Sequence, residues 1–259
     1  MFPELLPTEA AYYTSMIGMM SWVVEIGRLD IYLECSMMSS HLSLPREGHI
    51  HQVFHLFAYL KKYNNTEMVY DPIDPIVEDS ASEKKYFTLS DLRHVKGKEY
   101  LPPNMPQPRG LRYTMRSKVN AYHASNTDTR RQRTGFIAYL NCVPLYWLSK
   151  KQTSLESSSL DSEFIAMKQY CKYLRGLQYK LRMMFIPVEG LSYILGDNQS
   201  VMENTSIPDS TLKKNRHSIA YHMIREGAAR DEWRTIYVKT HDNEVDLLIT
   251  WRPAQGGQE

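Results

Sequence analysis

The chain has 259 residues, of which 42% are hydrophobic and 23% charged, which is enough to bury a core in one or two domains. A formal net charge of only +2 excludes a strongly basic protein, so any affinity for an acidic polymer must come from local clusters of Lys and Arg. The three cysteines are widely spaced and lack the pattern of a zinc or redox site, and the longest apolar stretch is too short and polar to span a bilayer. We therefore expect a soluble protein of a reducing compartment, cytoplasmic or nuclear, without a membrane contact.

The first part of the chain has helical periodicity. Apolar residues are dense in 12–26 and 31–42 and recur at helical spacing in 50–63. The character then changes, because prolines and acidic residues accumulate up to residue 108, and prolines fix φ and remove donors. The sequence predicts a helical segment over 1–70, a linker over 71–110 and a second domain over 111–259.

The second domain alternates strand-like and helical patterns. We predict three strands, a long helix, a short strand, two helices, a strand and a final helix, which places the domain in the α/β class. The predicted ranges, in order, are 113–123, 136–140, 145–148, 160–184, 191–195, 198–204, 213–229, 235–238 and 244–249.

Three acidic residues occupy positions that a divalent metal site could use. Glu163 lies at the edge of the buried stripe of the long helix, Asp197 follows a strand, and Asp246 opens the last helix. Hard cations such as Mg²⁺ prefer carboxylate oxygens. Plainer interpretations stay open: Asp197 as a helix N-cap, Asp246 as a first-turn residue behind an Asn243 cap, and Glu163 as a structural residue.

Basic residues flank these positions. Such a cluster is usually a solvated face, but here it could also track phosphates. Its members are Arg109, Arg112, Arg116, Lys118, Arg130, Arg131, Arg133, Lys213, Lys214, Arg216 and Arg225.

Ordered motifs carry a family resemblance. Residues 119–131 with Thr134-Gly135, and then 147–152, 162–166, 174–182, 197–200 and 221–226, resemble the ribonuclease H domain of copia-type LTR retrotransposon polyproteins in the same order. Upstream, 13–18, 28–31 and 58–62 resemble the C-terminal part of the reverse transcriptase of that family. No Tyr-x-Asp-Asp motif occurs, so we do not expect polymerase activity.

The resemblance implies a ribonuclease H-like mixed sheet flanked by helices, and cleavage of RNA–DNA hybrid with two Mg²⁺ ions, or with Mn²⁺ in their place. It implies that Glu163, Asp197 and Asp246 hold the metal. The first metal-binding position has Asn120 where the family has Asp, and Tyr122 shares its strand face. A neutral amide offers one carbonyl oxygen instead of two charged ones, so metal binding should be weakened. The nucleic-acid contacts that we expect are Arg130, Arg131, Arg133, Asn198, Gln199, Lys213 and Lys214.

Three hypotheses follow from these expectations. The first is a catalytically impaired retroelement fragment that keeps affinity for RNA–DNA hybrid or other nucleic acid. The second is an active Mg²⁺-dependent hybrid endoribonuclease that tolerates Asn120. The third is a host-recruited binding or scaffold module. The sequence does not indicate the oligomeric state.

Overall fold

The computed structural model describes residues 2–73, 103–104, 106–107, 109–122, 131–153, 158–188, 190–206 and 218–250. The chain divides into two compact units, one formed by Met1–Val69 with Thr250–Glu259 and the other by Tyr70–Ile249. Each unit has its own buried residues and is described separately. No helix in these described ranges is long and apolar enough to cross a bilayer.

The first unit contains three helices: α1 (Pro7–Glu25), α2 (Tyr32–Ser39), preceded by a 3₁₀ turn at Leu29–Ile31, and α3 (Glu47–Lys62). Proline suits the first position of α1, where a backbone N–H would have no helical partner. α1 ends before Gly27, whose φ of +123° favours glycine. The helices bury a core of Tyr13, Met16, Ile17, Met20, Val24, Leu33 and Val53.

One apolar face of α1 remains exposed. Tyr12, Met19, Trp22 and Ile26 are all exposed, and their spacing places them on the same side of the helix, away from its buried residues.

The second unit is built on a five-stranded sheet. Its strands are β1 (Met115–Tyr122), β2 (Arg133–Leu140), β3 (Val143–Lys151), β4 (Ser192–Gly196) and β5 (Trp233–Tyr237). Their spatial order is β3-β2-β1-β4-β5, with β1, β2 and β3 antiparallel and β1, β4 and β5 parallel. This is the mixed sheet that the resemblance implies.

Helices cover both faces of the sheet. On one face lie α4 (Ser159–Met183), α5 (Gln199–Ser206) and α6 (Ser218–Ala229). The hydroxyl of Ser158 caps α4 by accepting the N–H of Asp161 (3.3 Å), as the Ser-rich start predicts. The buried stripe of α4 packs on β1 and β2 and includes Phe164, Met167, Tyr170, Cys171 and Leu174.

The short last helix, α7 (Asp246–Ile249), covers the other face. It packs closely on Gly135 of β2, where an added Cβ would lie 2.5 Å from Ile249 Cγ2 and 2.7 Å from Val245 Cγ1. Glycine is therefore required for the approach of α7 to the sheet. The register pairs Gly135 with Asn120 of β1, so α7 begins beside Asn120.

The observed elements follow the predicted order, with ends displaced by a few residues. The predicted linker lies mostly outside the described residues, but both of its ends pair with the second unit. Pro72 O accepts a hydrogen bond from Asn141 Nδ2 (2.9 Å), and Arg109 N donates to Phe185 O (2.9 Å). The described ends of this segment are therefore held against the sheet unit.

Candidate functional site

Four polar residues meet at one edge of the sheet. Asn120 lies near the carboxyl end of β1, Asp197 directly follows the parallel strand β4, Asp246 begins α7, and Glu163 lies in the second turn of α4. The carboxyl ends of neighbouring parallel strands share an edge, which is why Asn120 and Asp197 come together. The structure thus brings together the residues that the resemblance assigned to one site.

The Asn120 amide bridges two carboxylates. Its Nδ2 donates to Asp246 Oδ1 (2.7 Å) and to Asp197 Oδ2 (3.1 Å), while its Oδ1 accepts the N–H of Ala121 (2.6 Å). Reversing the amide would turn its oxygen towards two carboxylates, so the contacts fix its orientation. The side chain is buried, with 6% exposure, and both amide hydrogens have acceptors.

Asp197 is not the cap of α5. Asn198 fills that position, because its Oδ1 accepts the N–H of Val201 (3.3 Å). The Asp197 carboxylate instead accepts a hydrogen bond from Asn120, and the nearby Thr240 hydroxyl also favours its charged form. Burial raises the pKa of Asp197, although these hydrogen bonds and one from its own backbone favour the charged form and oppose the shift.

Asp246 lies in the first turn of α7 behind Asn243, as one interpretation of the sequence expected, and it also faces the site. Asn243 precedes α7 and its Oδ1 accepts the N–H of Val245 (3.4 Å), so it acts as the cap. Asp246 then lies in the first turn, where the helix dipole favours a negative charge. The 2.7 Å contact with Asn120 adds a second reason for an acid at this position.

Glu163 is the most buried acid of the four-residue site, with 8% exposure. Burial raises the pKa of its carboxyl well above the usual value, the negative charges of Asp197 and Asp246 raise it further, and a hydrogen bond from the Ala121 backbone opposes the shift. The two Asp side chains are therefore close enough to Glu163 to repel its charged form.

The Asn120 amide occupies part of the oxygen set that a pair of Mg²⁺ ions would use. The Asn120 Nδ2 donates to one oxygen of Asp197 and one oxygen of Asp246, and an amide nitrogen cannot ligate a cation. Within the described ranges, no group of three or more His, Cys, Asp or Glu side chains is placed to hold a metal ion. The site is held together by an amide where a two-ion site would need charged oxygens.

The structure corrects one of the expected nucleic-acid contacts. Arg133 is buried, with 6% exposure, and its Nη1 donates to the Ser149 hydroxyl (3.1 Å) and carbonyl (3.5 Å). Its guanidinium therefore ties β2 to β3. Arg131 is exposed, whereas Arg130, Lys213 and Lys214 lie outside the described residues.

Two amides of the expected contact set are occupied by local hydrogen bonds. The Asn198 oxygen caps α5, and Gln199 Nε2 donates to Glu203 Oε1 (3.0 Å) on the same helix. These bonds explain why polar residues suit the start of α5 independently of any ligand.

Basic residues on β1 are engaged with other parts of the second unit. Arg116 Nε donates to Asn141 O (3.0 Å), and its guanidinium lies over the ring of Tyr139. Lys118 pairs with Glu244 (2.9 Å) and donates to a backbone carbonyl in the preceding turn. The β1 part of the basic cluster thus has a structural role, which the sequence could not distinguish from phosphate binding.

Tyr122 lies at the rim of the site. It shares the strand face of Lys118 and Asn120, as the period of two predicts, and its side chain is 42% exposed. Thr240 was not expected in the site. It reaches Asp197 from a turn that follows β5, and no motif in the sequence marks that turn.

The sheet order and the position of the site at its carboxyl edge define a ribonuclease H-like domain, which confirms the predicted fold class. No family model matches the chain. The chain is similar to retrovirus-related Pol polyproteins of plant transposons, and this confirms the resemblance found in the sequence. Identity to that of transposon RE2 from Arabidopsis thaliana is 26% over 140 residues, covering 54% of this chain and 10% of the polyprotein.

Two other polyproteins match along nearly the whole chain. That of transposon RE1 from Arabidopsis thaliana is 22% identical over 93% of this chain, and that of transposon TNT 1-94 from Nicotiana tabacum is 20% identical over 91%. The chain spans only 10%, 14% and 15% of the length of these three relatives.

Two solved structures are similar to parts of this chain at low TM-score. LC11-RNase H1, isolated from compost, matches with a TM-score of 0.42 and 12% identity, covering 52% of this chain and 92% of that one. The foamy viral protease-reverse transcriptase in complex with RNA/DNA hybrid matches with a TM-score of 0.36 and 13% identity, covering 79% of this chain and 26% of that one.

Proposed function

We propose that this chain is a retroelement-derived ribonuclease H-like module that binds nucleic acid and cleaves RNA–DNA hybrid poorly. The observation that carries the proposal is the Asn120 amide, which donates to both Asp197 and Asp246. A two-metal nuclease needs free carboxylate oxygens at this point to hold the ions that clamp the attacking and leaving oxygens. Here one oxygen of each carboxylate already accepts a hydrogen bond from a neutral donor.

The chain's own residues explain why the change is tolerated. Without a cation, the acids of the site would repel one another, and the amide removes one negative charge while it bridges two of the remaining acids. Burial of Glu163 adds to this effect, because its raised pKa favours the neutral form. The site is therefore stable without metal, and any binding of Mg²⁺ must compete with the amide.

The test is hydrolysis of a labelled RNA–DNA hybrid in Mg²⁺ and in Mn²⁺ by the wild type, Asn120→Asp and the double variant Asn120→Asp with Tyr122→Asp. Removing a group that stabilises transition-state charge typically costs about two to three orders of magnitude in rate. We expect very low wild-type activity, a gain in Asn120→Asp, and a larger gain in the double variant because it also adds a carboxylate at the rim.

A Glu163→Gln change in each background is the matched control, because it removes a carboxylate and keeps the shape of the side chain. Activity of the restored variants should disappear with it. The wild type could instead be as active as the double variant and lose this activity on Glu163→Gln. That result would show an active hybrid endoribonuclease and overturn the proposed impairment.

Binding is tested separately from cleavage. We expect weak, sequence-independent affinity for hybrid that falls steeply as salt rises, since phosphate contacts release counterions. Replacing Arg130 and Arg131 together by Gln should weaken binding to all sequences alike. Affinity that does not change with salt, or no binding at low salt, would remove nucleic acid from the partners of this chain.

A further inference from the structure

A cross-strand row of three side chains lies at the same end of the sheet as the amide-bridged site. The antiparallel registers pair Tyr122 with Arg133 and Arg133 with Lys151. Directly opposed residues of antiparallel strands point to the same face. Tyr122 shares its face with Asn120, two residues earlier on β1, so the row borders the site.

The three members differ in accessibility. Tyr122 is 42% exposed, Lys151 is half-buried, and Arg133 is buried between them with its guanidinium fixed to Ser149. Strands in a sheet lie about 4.8 Å apart, which separates the backbones of Tyr122 and Lys151 by roughly 10 Å. An exposed ring and a half-buried lysine thus lie on either side of a buried positive charge.

The adjacent site repels phosphate less than a cluster of free carboxylates would. Asn120 is neutral and donates to Asp197 and Asp246, so two of the acids are partly compensated without a cation. A phosphate at this end of the sheet therefore meets one negative charge fewer than it would if residue 120 were an acid.

We propose that Tyr122 and Lys151 form a contact site for single-stranded nucleic acid that needs no divalent cation. The ring of Tyr122 stacks on an unpaired base, and the Lys151 ammonium binds a flanking phosphate. An unpaired strand is favoured over a duplex because only an unstacked base offers its face to an aromatic side chain at a rim. This inference rests on the proposed nucleic-acid binding and names the class of ligand.

The experiment measures binding of a labelled single-stranded oligonucleotide of roughly 16 nucleotides by fluorescence anisotropy, in EDTA and at several salt concentrations. We expect Tyr122→Leu to weaken binding about 10-fold and Tyr122→Phe to keep it, because phenylalanine still stacks. Lys151→Gln should lower the slope of log affinity against log salt by about 0.7, the value for one phosphate contact on a single strand.

The chain offers a matched control for each variant. Tyr237 is 47% exposed at the end of β5, and its register with Gly196 places it on the opposite face of the sheet, towards α5. Lys150 is exposed next to Lys151 but points to the other face of β3. Tyr237→Leu and Lys150→Gln should leave binding unchanged, and thermal melts of all variants verify folding.

The outcomes separate this inference from the proposed function. Three results would each overturn the single-strand site while nucleic-acid binding itself stands. They are an equal loss of affinity in Tyr122→Leu and Tyr237→Leu, a larger effect of Tyr122→Leu on affinity for blunt duplex than for single strand, and binding that requires Mg²⁺. No binding of any nucleic acid by the wild type at low salt would overturn the proposed function and this inference together.

Discussion

Replacing Asn120 with aspartate should destabilise the protein in the absence of metal. The amide makes two hydrogen bonds, of 2.7 and 3.1 Å, to Asp246 and Asp197. Hydrogen bonds to charged groups contribute about 1.5–3 kcal/mol each, so losing both costs about 3–6 kcal/mol. An ionised aspartate at position 120 also places a third negative charge beside those of Asp197 and Asp246. We expect a fall in Tm on the order of 10 °C in EDTA at pH 8.

The variant should respond to pH and to Mg²⁺ in ways that the wild type does not. Burial beside two acids must raise the folded-state pKa of the new carboxyl, so its stability is greatest at low pH and is lost as the pH rises through that pKa. Protonated aspartate still donates one hydrogen bond, which limits the loss at pH 5. A cation held by the restored carboxylates should recover stability by mass action.

The assay is thermal unfolding at pH 5 and pH 8, with EDTA and with Mg²⁺. Asn120→Ala serves as a control, because it removes both donors without adding a charge, and its Tm should rise less with Mg²⁺ than that of Asn120→Asp. If Asn120→Asp in EDTA at pH 8 is as stable as the wild type, or if Mg²⁺ stabilises both proteins equally, the amide does not take the place of a cation as described.

Three further outcomes are expected. In urea unfolding, Glu163→Gln should stabilise the protein more at pH 8 than at pH 5. Burial raises the pKa of the Glu163 carboxyl, so the stability of the wild type falls as the pH rises through that pKa, whereas glutamine stays neutral. Equal effects at both pH values would contradict this. Gly135→Ala should cost about 1–3 kcal/mol in the same assay, since its Cβ would meet α7 at 2.5 Å, and an unchanged midpoint would mean that α7 can shift freely. Limited proteolysis, read by mass spectrometry, should cut first between residues 71 and 108, and protection of this stretch would argue against the predicted domain boundary.

The sequence by itself was enough to predict the order of elements in the sheet unit. Hydrophobic periodicity and the breaks at proline and glycine are local features of the sequence. The strands, the long helix α4 and its Ser-rich start could therefore be predicted directly. The resemblance then selected Glu163, Asp197 and Asp246, and the structure brings them to one edge with Asn120. These residues were predictable because their motifs are local and occur in a fixed order.

Only the tertiary structure decided what the residues do at that edge. The hydrogen bonds of Asn120 reach partners 77 and 126 residues away, so no local pattern could show which way the amide points. Arg133 was predicted to contact phosphate, and the structure places its guanidinium against Ser149 of the neighbouring strand. Charge and face can be read from the sequence, but a hydrogen bond or a buried ion depends on which distant groups the fold places within about 3 Å.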